Sequence, residues 1–175
     1  LIKAIGDWVI REACRTAATW PEHLTIAVNL SAPQFDKDRI VDVVTSSLAE
    51  TGLLPGRLEL EITESLLIER PDDVLATLMR LKELGVSIAM DDFGTGYSSL
   101  SYLLKFPFDK IKIDKSFISA IDHDKAACDV LRTIGSLGKT LGIRITAEGV
   151  ETEEQVTFLR AIACDQLQGY FFAKP

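Results

Sequence analysis

A chain of 175 residues, close to half of them apolar, is long enough for one compact domain with a real core and too short for two comfortable ones. Its 26 acidic residues outnumber 19 basic ones, for a net charge of −7, which argues against long nucleic acids as partners because they bind through basic patches. A small phosphate ligand stays open to such a surface if metal ions supply the positive charge.

Residues 2 to 20 read as a helix, with Ile5, Trp8, Val9 and Ala13 recurring on one face, and Pro21 stops it. Residues 24 to 30 read as a strand, 36 to 50 as a helix with Ile40, Val43, Val44 and Leu48 inward, and Gly52 stands where a helix stop belongs. A strand over 58 to 62 and a helix over 71 to 84 follow, the latter stopped by Gly85. The apolar run 85 to 90 is a buried strand that ends in Asp91-Asp92 and a glycine loop. A short helix near 98 to 104, a strand over 109 to 113, a helix over 125 to 141 stopped by Gly142, a strand over 143 to 147, a helix over 152 to 161 and a strand over 165 to 171 complete the chain. Six strands alternating with helices predict a parallel sheet with crossover helices. No linker interrupts the pattern, so residues 1–175 are expected to be one domain.

Two adjacent carboxylates at a core strand end are costly unless something positive neutralises them. Asn29, Glu61, Asp91, Asp92, Lys112, Glu148 and Gln168 all fall at or near C-terminal strand ends, and all six strands contribute. An open doubly wound sheet would gather only the groups near its switch point, whereas a closed barrel gathers all of them on its active face. The expected fold class is therefore α/β, a TIM-like (β/α)8 barrel. Such a barrel has eight strands and about 250 residues, so the N-terminal strands are expected to lie before Leu1. The opening Leu1-Ile2-Lys3 without an initiator methionine and the abrupt Ala173-Lys174-Pro175 both read as cuts within a larger protein.

Asn29, Glu61, Asp91, Asp92 and Glu148 are hard oxygen donors, suited to magnesium, manganese or calcium rather than zinc. Five such donors suffice for two divalent ions, which roughly 3.5–4 Å apart serve in-line attack on a phosphodiester. Lys112 would orient the water or balance phosphate charge; the alternative for it is an ion pair with a neighbouring carboxylate. His23 and His123 are isolated and read as surface or helix-start residues. Cys14, Cys128 and Cys164 are odd in number and scattered, which argues against a disulfide framework or a thiolate site and fits a reducing cytosol. Asp92-Phe93-Gly94 is unaccompanied by the other protein-kinase motifs, Gly94-Thr95-Gly96 lacks the Lys-Ser/Thr of a P-loop, and no nucleophile elbow is present. No segment is long and apolar enough to span a membrane and no signal peptide is visible. The domain is therefore expected in the cytoplasm, with anchoring of the parent protein to the inner membrane left open.

Read together, Val28-Asn29-Leu30-Ser31, Leu58 through Glu64 (LELEITE), Asp91 through Leu100 (DDFGTGYSSL), Lys112 through Phe117 (KIDKSF), Ala147 through Thr152 (AEGVET) and Gln168-Gly169-Tyr170 resemble the EAL-domain family of bacterial cyclic di-GMP phosphodiesterases. The segments run the length of the chain in the family's order, corresponding to the C-terminal three-quarters of the domain. The resemblance implies a modified TIM barrel that hydrolyses cyclic di-GMP to linear pGpG with two magnesium or manganese ions. It implies Asn29, Glu61 and Asp91 on the first metal, Asp91 and Asp92 on the second with Glu148 beside them, Lys112 on the catalytic water and Gln168 near the metal centre. Glu64 would brace the loop from Asp92 to Ser99, which in this family couples the site to dimerisation and regulation; Asp114 and Glu151 match family positions with roles left open. A homodimer, and fusion to sensor or cyclase domains, are further implications.

The Glu-Ala-Leu signature is absent and would fall before Leu1. Its glutamate is a metal ligand in the family, so the chain alone is expected to lack one ligand. The second reading is a non-catalytic cyclic di-GMP receptor. A third is a dimerisation module built on Val130, Leu131, Ile134 and Leu137, although such a stripe is more often core.

Overall fold

The computed structural model describes residues 1–35, 37–69, 71–94 and 100–174. The expected helix starts at Asp36 and Ser98, and positions 95–99 of the loop that Glu64 was expected to brace, lie outside them. Six strands follow one another in sheet order β1 to β6. They are β1 (Ile26–Leu30), β2 (Leu58–Thr63), β3 (Ser87–Phe93), β4 (Lys110–Ile113), β5 (Arg144–Ala147) and β6 (Gln166–Leu167). Pairs β1–β2, β4–β5 and β5–β6 are parallel. The class is α/β, with the strand order of a TIM-like barrel of which six strands are present. By contact density the chain divides into two compact units, Leu1–Ala89 with Ser99–Phe108, and Met90–Ser98 with Asp109–Pro175.

In the first unit, α1 (Ile2–Ala18) precedes β1, and α2 (Lys37–Thr51) leads into β2. The buried face of α1 is Gly6, Ile10, Cys14 and Ala17. The expected face of Ile5, Trp8, Val9 and Ala13 is thereby corrected: Ile5 is 46% and Trp8 62% exposed. Small residues decide the matter, because a Cβ at Gly6 would collide with the side chain of Gln34. Close approach of the helix outweighs the size of its apolar residues. On α2 the expected inward residues Ile40, Val43, Val44 and Leu48 are all buried.

Arg57 ties the last turn of α1 to the segment that leads from it into β1. Its guanidinium donates to the carbonyls of Ala17 at 2.7 Å, Leu24 at 2.8 Å, Pro21 at 3.2 Å and Trp20 at 3.3 Å. On β2, Leu58, Leu60 and Ile62 are buried, and so are the intervening Glu59 and Glu61. Burial on both faces is the mark of a covered parallel sheet. Glu59 accepts a hydrogen bond from Ser87 Oγ at 3.4 Å. The short α3 (Glu64–Glu69), α4 (Pro71–Glu83) and α5 (Leu100–Lys105) complete this unit; α3 was not anticipated, because its six residues are too few for a clear helical period.

In the second unit, Asp114 caps the short α6 (Lys115–Ser119) and Asp124 caps α7 (Lys125–Leu141). Gly142 ends α7 in the left-handed conformation, φ 69°, that a Schellman-type stop needs. Leu131 and Ile134 of α7 are buried in the core, Leu137 is half-buried and Val130 is 43% exposed, so half of that stripe is core. A capping box of Thr152 and Gln155 starts α8 (Glu153–Ala161).

The last strand is shorter than the sequence predicts: β6 covers two residues, not 165 to 171. Gln168 N still donates to the Ala147 carbonyl at 2.9 Å, but Val150 N then donates to the Gln168 carbonyl at 3.0 Å and Phe171 N to that of Val150 at 3.0 Å. The backbone is drawn onto Val150 instead of extending the ladder. Gly169 permits this, since a Cβ there would collide with the Val150 backbone.

Candidate active site

The second unit gathers charge around one lysine. Lys112 comes from β4, Asp91 from β3, and Glu148 follows β5 directly. Lys112 Nζ lies 3.0 Å from Asp91 Oδ1 and 2.8 Å from Glu148 Oε1. The three side chains are 9%, 12% and 22% exposed, so the ammonium neutralises two carboxylates that water reaches poorly. The ion-pair alternative for Lys112 is thus the contact seen. The strand order favours the convergence, because each residue stands at or near the C-terminal end of its strand and β3, β4 and β5 are neighbours.

Asp92 departs from strand geometry, with φ at 54° and its amide donating to Asp91 Oδ1 at 3.1 Å. Aspartate is one of the few residues that tolerates this region, at a cost of about 1–3 kcal/mol when the surroundings impose it. The turn separates its carboxylate from the alternation of the strand. Desolvation, then the charges of Asp91 and Asp114, push the Asp92 carboxyl above the usual range, with Lys112 acting the other way. Asp114 shifts oppositely: its hydrogen bonding with Ser116 at the start of α6, stronger than its burial, holds it below the usual carboxylate value.

Asp92, Asp114, Glu148, Glu151 and Gln168 line a cavity of about 450 Å3, together with Lys115, Gly149, Gly169 and Tyr170. Gly149, at φ 69°, brings the loop after β5 close to α6; a Cβ there would stand 2.5 Å from Lys115 Cβ. Gln155 fixes the far side of this loop, its Oε1 accepting from the amides of Glu151 at 2.8 Å and Thr152 at 3.3 Å.

Within the first unit, Asn29 of β1 and Glu61 of β2 stand opposite each other in register. Glu61 is 6% and Glu64, at the start of α3, 4% exposed. Among the described residues no group of three or more His, Cys, Asp or Glu side chains is gathered as a ready metal cage. The sequence reading gave no role to Lys115, Tyr170 or Gln155. Their signal was the short spacing to Asp114, Gln168 and Glu151, which only the turns after β4, β5 and β6 convert into proximity.

Among known families, the model described as EAL domain matches residues 1–175. A signalling protein of Caulobacter vibrioides is 55% identical over the whole chain, which covers 22% of that protein. MucR of Pseudomonas aeruginosa, a bifunctional diguanylate cyclase/cyclic di-GMP phosphodiesterase, is 45% identical over 179 aligned residues, covering 100% of this chain and 26% of MucR. The chain thus spans about a quarter of the length of these curated relatives. Of solved structures, the PaMucR phosphodiesterase in complex with c-di-GMP superposes with TM-score 0.94 at 44% identity, over 99% of this chain and 72% of that one. Klebsiella pneumoniae BlrP1 with manganese and c-di-GMP gives TM-score 0.90 at 30% identity, over 99% of this chain and 44% of that one.

Proposed function

The chain is a member of the EAL domain family, and from that premise we propose that the protein carrying it hydrolyses cyclic di-GMP to linear pGpG. The observation that carries this reading is Lys112 held between Asp91 and Glu148 beside a carboxylate-lined cavity. Relatives and structural neighbours named as cyclic di-GMP phosphodiesterases or bound to that ligand support the substrate.

The donors fit hard divalent ions: they are all oxygen, and two of them already hold a cation, the Lys112 ammonium. Asn29, Glu61, Asp91, Asp92 and Glu148 would hold two ions, magnesium or manganese. Bound there, the ions would supply the charge that activates water and stabilises the departing oxygen. Of the chain's own groups, Lys112 orients the attacking water and offsets phosphate charge. Asp114, Glu151 and Gln168 shape the cavity, and Glu64 braces the loop from Asp92 to Ser99. The domain works in the cytoplasm as a homodimer within a larger signalling protein that carries sensor or cyclase domains.

The test is chromatographic detection of pGpG after incubating cyclic di-GMP with the full-length protein, with manganese and with chelator. Product that depends on manganese is expected. Tight binding without product would replace the enzyme by a receptor, and neither binding nor product would end the cyclic di-GMP reading.

A further inference from the structure

Asp92 presents its carboxylate through a left-handed backbone that an L-residue does not favour by itself, and one side chain outside the carboxylate cluster bears on that backbone. Two of three successive residues here are left-handed, Asp92 at φ 54° and Gly94 at φ 96°, with Phe93 buried between them. The ring of Phe117, on α6, lies against Gly94: a Cβ there would stand 2.6 Å from Phe117 Cε2 and 2.8 Å from its Cζ. Turn and ring both belong to the second unit. We propose that Phe117 is a positioning residue for the hydrolysis: packed on Gly94, it keeps this turn closed and so fixes where Asp92 and Asp91 hold their carboxylates. The inference rests on the phosphodiesterase reading above and gives a task to a residue that reading leaves without one.

The path from ring to carboxylates is short. Gly94 is two residues from Asp92, whose amide donates to Asp91 Oδ1 at 3.1 Å. That oxygen also lies 3.0 Å from Lys112 Nζ. If Asp92 relaxed to ordinary strand geometry, its amide would leave Asp91 Oδ1 and its side chain would pass to the opposite face of the strand. A left-handed non-glycine residue persists only where its surroundings impose it.

Phe117 can impose it because its helix is itself anchored. Asp114 caps α6, its Oδ1 accepting from the Ser116 amide at 3.0 Å, and the neighbouring Ile118 is fully buried. Ile118 therefore supplies the core contact of α6, while Phe117 is half-buried and meets the turn. Glycine is needed at position 94 twice over, for its φ and for the close approach of the ring.

The test measures pGpG formation, and manganese affinity by calorimetry without substrate, in the full-length protein, with rates referred to the folded fraction read by circular dichroism. Phe117→Ala is expected to lower kcat by about 10²-fold, as a displacement of about 1 Å at a reacting group entails, with KM changed less than about threefold. Manganese affinity is expected to fall by about tenfold. Phe117→Tyr, which keeps the ring, is expected to retain most of the rate, and Phe117→Leu, the variant that decides if Phe117→Ala does not fold, to lose about tenfold. Gly94→Ala is expected to lower kcat as well, and its combination with Phe117→Ala to be no slower than the slower single variant, since both act on one contact. Near wild-type kcat and manganese affinity in folded Phe117→Ala or Phe117→Leu would overturn the proposal, as would losses that multiply in the double variant. Wild-type protein that forms no pGpG would instead overturn the reading of the site itself, and the positioning role with it.

Discussion

Replacing Lys112 with methionine keeps the length and apolar stem of the side chain and removes only its charge. At the observed 3.0 and 2.8 Å, each ion pair has a gross attraction of about 5–6 kcal/mol at an effective dielectric of 20. Desolvation of three poorly hydrated charges offsets most of that. The variant, however, keeps both carboxylates in place without their cation, and such one-sided removal costs about 3–5 kcal/mol in buried pairs. Glu148 retains 22% of its exposure and can recover some water, which places the expected loss at about 3 kcal/mol. Urea denaturation followed by circular dichroism reads this directly: with a slope near 2 kcal/mol per molar, the midpoint falls by about 1.5 M. Adding Asp91→Asn to Lys112→Met should return part of the loss, since one unpaired charge disappears with it. A midpoint shift under about 0.3 M, with no coupling between the two substitutions, would refute the claim that Lys112 neutralises this cluster.

Arg57→Leu should cost about 2–4 kcal/mol in the same assay, because the carbonyls of Ala17, Leu24, Pro21 and Trp20 lose a shared charged donor; a cost below about 0.5 kcal/mol would show that water replaces it fully. Asp92→Asn should abolish hydrolysis yet raise the melting temperature at pH 7. The sign follows from the raised carboxyl: ionised Asp92 destabilises the folded state above its folded pKa, and protonation removes that cost as pH falls. The gain should therefore vanish below the unfolded value of 3.8, and asparagine tolerates the φ of 54°. A lower melting temperature at pH 7 would contradict the assignment.

What was legible in the sequence was the part governed by local chemistry. Gly52, Gly85 and Gly142 mark the ends of α2, α4 and α7, and each adopts positive φ there. Apolar strand runs and the polar residues that close them placed Asp91, Lys112 and Glu148 at strand ends before any contact between them was known. Where the sequence misled, tertiary packing had overridden the local pattern. Trp8 and Ile5 outweigh Gly6 and Cys14 in any hydrophobicity count, yet close approach over glycine chose the smaller face of α1. The final strand looked long because Tyr170, Phe171 and Phe172 favour extended backbone, but the ladder gave way to Val150. That Lys115 and Tyr170 share a cavity with Glu151 was illegible for a third reason: the three follow different strands, β4, β6 and β5, and only the turns after those strands bring them to one cavity.

The central claim is that Asp91, held by Lys112, belongs to a metal-dependent site that cleaves cyclic di-GMP. Its most direct test is the rate of pGpG formation by the full-length wild type and by Asp91→Asn, side by side with manganese. The account predicts product from the wild type and a loss of roughly 10³-fold or more in the variant, as removal of a group that organises the reacting charge entails. Near wild-type turnover by Asp91→Asn would contradict it.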